Sequence, residues 1–242
     1  MTDFARPTEY NIDNSKVFVE MSIPRPITVK ETGKLIDIHI SPVLVETELQ
    51  EDGSLPVLPI SPEIFTDDKY EKFNKLTYSL GKLNRLAESN LDRLLYFVRY
   101  YFHNKDYNEF VTANKKCRDQ IDYDVTDNFN KLSFMQLKNL LSCIIKSDTE
   151  FHQIPELDSG EKRNYFTRTY ANYVYDRDCF THGQLFLHYP NFNPILRVKP
   201  PGKKEHYIDI TEEVLWDNLL IYQLLDDTLT KLSQQLDKKN GM

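Results

Sequence analysis

The chain has little glycine, little cysteine and no long apolar run, and each shortage removes a class of protein. Seven glycines in 242 residues are too few for a collagen-like repeat, a glycine linker or a glycine-rich phosphate loop. Cys117, Cys143 and Cys179 form an odd, widely spaced set, which suits a reducing compartment and not a disulfide framework. No stretch approaches the roughly 18–20 apolar residues of a bilayer span, so no membrane association is expected. The N-terminal MTDFARPTEY lacks the apolar core of a secretion signal, and a cytoplasmic location is expected. The nucleotide-loop, nucleophile-elbow and metalloprotease motifs are also missing. Cys179 and His182 make one C-x2-H pair without a second pair at zinc-site spacing, so neither metal nor cofactor is expected.

The chain is rich in charge, and the charge is unevenly placed. Overall the formal net charge is −7. Residues 1–68 hold thirteen acidic and five basic side chains, a net of −8. Within 160–204 the sign reverses: Lys162, Arg163, Arg168, Arg177, Arg197, Lys199, Lys203 and Lys204 outnumber Glu161, Asp176 and Asp178. A local surplus of this kind attracts phosphate chains even on an acidic protein. Arg163, Arg168, Lys199, Lys203 and Lys204 are therefore candidate RNA-binding residues; a solvated helix face with a basic loop accounts for the charges equally well.

Periodicity divides the chain near residue 68. Lys16–Ile23, Leu35–Ile40 and Val43–Glu48 cluster β-branched residues between prolines, which predicts short strands or extended segments. Ser61-Pro62-Glu63 has the composition of a helix start. Beyond it, apolar residues from Phe73 to Phe102 recur at spacings of three and four, predicting one long amphipathic helix. A shorter helix is expected over Tyr107–Gln120, and a third capped by Ser133. A fourth is expected from about Lys162 to Leu187. Pro190–Pro201 reads as a proline-broken loop, and Thr211 caps a final helix reaching past Leu232. The expected fold is thus mainly α: an antiparallel four- to five-helix bundle over 69–242, preceded by an acidic N-terminal extension (1–68) containing short β-strands.

The candidate catalytic residues lie in Tyr173-Val-Tyr-Asp-Arg-Asp-Cys-Phe-Thr-His-Gly183. Arg177 and His182 are separated by four residues, Asp178 follows the arginine and Gly183 follows the histidine. At about 100° per residue Arg177 and His182 project about 140° apart on a helix, whereas Asp178 and His182 share a face. Asp178 is placed to orient His182 and to favour its charged form. The aromatic run Tyr165, Phe166, Tyr170, Tyr173 and Tyr175 has a spacing that suits packing better than base stacking.

This motif resembles the signature of the HEPN superfamily, an arginine and a histidine four to six residues apart, late in a helical bundle and before its last helix. The resemblance implies a homodimer that brings two copies of the pair together. It also implies metal-independent cleavage of RNA, in a toxin–antitoxin or phage-defence setting where a protein partner or antitoxin restrains the activity. Carried onto this chain, His182 would act as general base on a ribose 2′-hydroxyl and Arg177 would stabilise the charge of the phosphorane. The alternative is a HEPN-like dimeric module that binds without cutting, with Arg177 and His182 paired to nearby acids or helix carbonyls.

Overall fold

A computed structural model describes residues 4–13, 15–28, 30–58, 62–114, 129–199 and 204–239. Among these are six strands, β1 (Thr8–Tyr10), β2 (Lys16–Thr28), β3 (Leu35–Glu48), β4 (Gln184–Tyr189), β5 (Asn193–Val198) and β6 (His206–Asp209). The helices are α1 (Asp67–Phe102), α2 (Tyr107–Ala113), α3 (Phe134–Ser147), α4 (Gly160–His182) and α5 (Glu212–Lys239). None of these helices is long and apolar enough to cross a membrane.

The strands form one mixed sheet in the order β1-β6-β5-β4-β3-β2. All neighbours run antiparallel except β3 and β4. The expectation of a mainly α bundle, with strands confined to an N-terminal extension, is therefore overturned: the fold is α+β. Strands from 8–48 and from 184–209 share a single sheet, because β3 pairs with β4 through Val43–Leu187, Leu44–His188 and Val45–Tyr189.

Two physical features account for the difference. First, the helix expected to reach Leu187 stops at His182. Beyond it Gln184-Leu-Phe-Leu-His-Tyr is long enough to span the sheet, and Phe186 and Leu187 are both buried there, one on each face. Apolar residues on both faces of a strand mimic a continuous apolar run. Second, the prolines sit where strands tolerate them. Pro24 and Pro26 lie on the edge strand β2, and Pro194 is the second residue of β5. Ser41 and Pro42 fall where the register shifts between Met21–Val43 and Ile23–Ile40, a bulge that leaves their backbone outside the ladder. The expected loop at 190–201 thus contains β5.

The residues group into two compact units, 1–82 with 178–216 and 83–177 with 217–242. In the first, the strand register and the two-residue period of each strand place Leu44, Phe186, Ile195 and Tyr207 on one face of the sheet, where they form a buried cluster with Tyr10, Ile12 and Phe18 packed against it. The opposite face carries buried Val43, Val45, Leu187, Leu196, Val198 and Ile208.

In the second unit, α3 begins with the expected Ser133 cap. Ser133 Oγ accepts from the Gln136 amide at 3.3 Å while Gln136 Oε1 accepts from the Ser133 amide at 2.8 Å, a reciprocal capping box. Leu137, Leu140, Leu141, Ile144 and Ile145 of α3 are buried, as are Leu94, Phe97 and Val98 of α1 and Leu225, Leu229 and Leu232 of α5. Phe166, Tyr170 and Tyr173 join this core while Tyr175 is exposed, so the aromatic run is mainly packing. Tyr170 satisfies its buried hydroxyl by donating to Asn90 Oδ1, and burial raises its pKa well above the usual phenol value. The expected helix over Tyr107–Gln120 is seen as far as Ala113, and residues 115–128, including Cys117, lie outside the described residues.

Candidate functional site

The motif occupies the end of α4, whose last turn meets the sheet at Gly183. The Gly183 amide donates to the Cys179 carbonyl at 2.8 Å. A Cβ on Gly183 would stand 2.5 Å from that oxygen and 3.3 Å from Leu196 Cβ on β5. Only a residue without a side chain fits between the helix end and the sheet. Cys179 and Phe180 are buried in the same turn, whereas Asp178 and His182 are exposed. The sequence at this point is thus a helix whose inner side is fixed by packing and whose outer side presents a carboxylate and an imidazole. Among the described residues no hydrogen bond or ion pair reaches His182.

Arg177 belongs to the helical unit and is held there. Its guanidinium pairs with Glu88 of α1 and lies 6.0 Å from the centre of the Phe134 ring, at the outer limit of a cation–π contact. The Arg177 side chain is 16% exposed while Glu88 is 55% exposed. Next to Arg177 in sequence, Asp176 is 1% exposed.

Four of the eight basic side chains of 160–204, Lys162, Arg163, Arg177 and Arg197, are engaged by the protein itself. Arg163 donates to the Leu157 carbonyl at 2.7 Å, and Lys162 pairs with Asp158 at 2.9 Å. Arg197 pairs with Glu20 at 3.1 Å, donates to Gln184 and lies 4.7 Å from the centre of the Phe186 ring. Arg168 is exposed in the helical unit, and Lys199 and Lys204 are exposed in the sheet unit. Lys203 lies outside the described residues.

A second concentration of chemistry lies on the sheet face that carries Leu44 and Phe186. Cross-strand pairing puts Glu46 of β3, His188 of β4, Asn193 of β5, Asp209 of β6 and Thr8 of β1 toward one end of that face. Glu46 Oε2 accepts from the Tyr10 hydroxyl at 2.7 Å and lies 3.5 Å from His188 Nε2, while Glu46 Oε1 is 3.6 Å from Lys16 Nζ. Burial and the Glu46 hydrogen bond push Tyr10 up to about 12, with the charges of Glu46 and Asp209 adding to the shift. Burial lowers His188 against the opposing pull of Glu46 and Asp209, and burial raises Asp209 against the pull of His188.

Sequence reasoning passed over Glu88, Tyr10, Glu46 and Asp209. Glu88 has no sequence signal, because it lies 89 positions from Arg177. The sheet residues do carry one. Leu44 and Glu46, Phe186 and His188, Ile195 and Asn193, and Tyr207 and Asp209 are each two apart, so each pair shares a strand face. No group of three or more His, Cys, Asp or Glu side chains arranged to hold a metal is found among the described residues. No family model, curated protein or solved structure matches this chain.

Proposed function

We propose that the chain is a metal-independent endoribonuclease of the HEPN type, acting as a homodimer. The observation that carries this reading is His182, an exposed imidazole that no described residue hydrogen-bonds, at the end of a helix whose inner side is locked by Gly183. Imidazole titrates near neutrality and suits proton transfer, and a guanidinium matches phosphate oxygens. His182 would take the proton of a ribose 2′-hydroxyl as that oxygen attacks the adjacent phosphorus. The 5′-oxygen leaves, giving a 2′,3′-cyclic phosphate and a 5′-hydroxyl, and Arg177 neutralises the phosphorane. Asp178, one turn before His182, steadies the imidazolium. DNA has no 2′-hydroxyl and is spared. Restraint by a protein partner, as in a toxin–antitoxin or phage-defence pair, belongs to the same reading.

The second reading is a non-catalytic binding module. The Arg177–Glu88 pair over Phe134 favours it, because an arginine so engaged serves the helical core. The two divide on one experiment. Purified protein is incubated with RNA in EDTA beside Arg177→Ala and His182→Ala. Cleavage by the wild type that both variants lose supports the ribonuclease, and cleavage that survives both substitutions overturns it. Cleavage by none of the three assigns the chain to the binding module.

A further inference from the structure

At the polar end of the sheet a pocket of about 640 Å³ opens, lined by residues other than those of the Arg177–His182 motif. Its size falls within the range of small-molecule sites. Strands β1, β4, β5 and β6 contribute Thr8, Tyr10, His188, Asn193 and Asp209; the turn after β4 contributes Asn191, α1 contributes Lys72, and the start of α5 contributes Thr211 and Glu212. The turn is held firmly: Phe192 adopts φ 53°, rare for a bulky residue, with its ring under Lys69 at 4.0 Å and its carbonyl accepting from Lys72 Nζ at 3.0 Å.

Two groups on this wall make no side-chain hydrogen bond to the described residues. The Asp209 carboxylate is half-buried, yet no hydrogen bond or ion pair reaches it from the described residues; the imidazole of His188 and the phenol of Tyr10 interact with it electrostatically. His188 Nε2 is shielded from solvent and makes no hydrogen bond, facing the Glu46 carboxylate at 3.5 Å. Removing polar groups from water without partners is costly. An occupant that donates hydrogen bonds to Asp209 removes that cost.

The lining also bears on the occupant's charge. Lys72 stands against a cation, and Glu212 with Asp209 stands against an anion. A neutral polar occupant opposes neither. Asn191, Asn193, Thr8 and Thr211 offer donors and acceptors side by side, and Tyr10 offers a ring. Vicinal hydroxyls meet all of these demands, since each donates and accepts at close spacing and two together match the two oxygens of a carboxylate. We propose that this pocket binds the vicinal diol of a neutral sugar, with Asp209 accepting from both hydroxyls. The proposal does not rest on the ribonuclease reading.

A free sugar and the ribose of a nucleoside both present that diol, and titration calorimetry on the full chain separates them. The probes are methyl glucopyranoside, adenosine and 2′,3′-dideoxyadenosine. Binding of adenosine but not of its dideoxy form assigns a nucleoside ribose, and binding of the glucoside alone assigns a free sugar. In either case Asp209→Ala weakens binding at least tenfold, while Asp209→Asn, which keeps shape and one acceptor, loses less. Circular dichroism and melting confirm that each variant folds. No binding of adenosine or glucoside at millimolar concentration overturns the proposal, as does equal binding of the dideoxy compound or an unchanged affinity in a folded Asp209→Ala.

Discussion

Tyr10 and Phe18 stand on the two opposite edge strands of the sheet, yet their ring centres are 5.8 Å apart. A flat six-stranded sheet would separate its edges by more than 20 Å at the ordinary strand spacing, so this sheet curls until its first and last strands meet through side chains. The residues between them, 11–15, make the link short. Curling is what encloses the Glu46–His188 pair and gives the unit a polar interior at one end.

Phe18 is the pin of that closure. It touches Tyr10, His188 and Tyr207, the last at 4.3 Å between centres. Phe18→Ala is expected to cost about 2–4 kcal/mol, the range for losing a large side chain from a packed site. Urea unfolding measures it, and a loss below about 1 kcal/mol would show that the edges are held some other way. Exchange of β1 amides should rise in the same variant, since β1 is only three residues long.

Gly183 carries a second expectation. Gly183→Ala places a methyl group against the Cys179 carbonyl, which the helix end cannot move without breaking the Gly183–Cys179 hydrogen bond. The variant should lose about 2–4 kcal/mol, seen as a lower Tm. Gly81, around which nothing lies within 4 Å of an added Cβ, is the control. Gly81→Ala in the interior of α1 should hold or gain stability by up to about 1 kcal/mol.

How much of this was legible follows from the ranges over which each interaction acts. Local signals survived: Ser133 caps α3 through a residue three positions away, and Thr211 Oγ1 accepts from the Val214 amide at 3.1 Å. Extended segments at 16–23, 35–40 and 43–48 also stood out, because β-branched residues cluster there. What failed was the sheet as a whole. The pairing of Leu44 with His188 joins residues 144 apart through backbone groups, and backbone hydrogen bonding leaves no mark on side-chain composition. Gln184–Leu187 reads as helix because Leu185, Phe186 and Leu187 run together without alternation. At the motif, sequence singled out Arg177, Asp178 and His182, but not that Glu88 would occupy the arginine.

Asp148 sets the acid limit of the helical unit. Burial by itself would raise its pKa. The hydrogen bond and charge of Lys105 at 3.0 Å, the Glu150 amide and Lys239 at 3.8 Å outweigh burial and leave the carboxyl below its usual value. A carboxylate depressed in the folded state contributes stability that is present above the unfolded value of about 3.9 and is lost as pH falls through the lower folded one. The protein should therefore lose stability below about pH 4. Asp148→Asn should lower stability at pH 7 by about 1–3 kcal/mol and flatten that acid limb. A melting series from pH 7 to 3 compares the two slopes, and parallel curves would remove Asp148 from the account.

The Arg177–Glu88 pair decides whether the arginine can serve a phosphate. Glu88 is more than half exposed, so water screens the pair and its contribution should stay below about 1 kcal/mol. Glu88→Gln is thus expected to leave Tm nearly unchanged while removing the carboxylate charge from the guanidinium. Arg177→Ala should cost more, because it also strips the side chain from the face of Phe134. A double-mutant cycle in urea isolates the pair from that packing. If Arg177 acts on RNA, Glu88→Gln cleaves at least as fast as the wild type, since a competing carboxylate has been removed from the phosphate's partner. A Glu88→Gln variant that folds normally but loses cleavage would mean that the carboxylate positions Arg177 for the reaction and does not compete for it. A coupling well above 1 kcal/mol would mark the pair as part of the helical core and turn the balance toward the binding module.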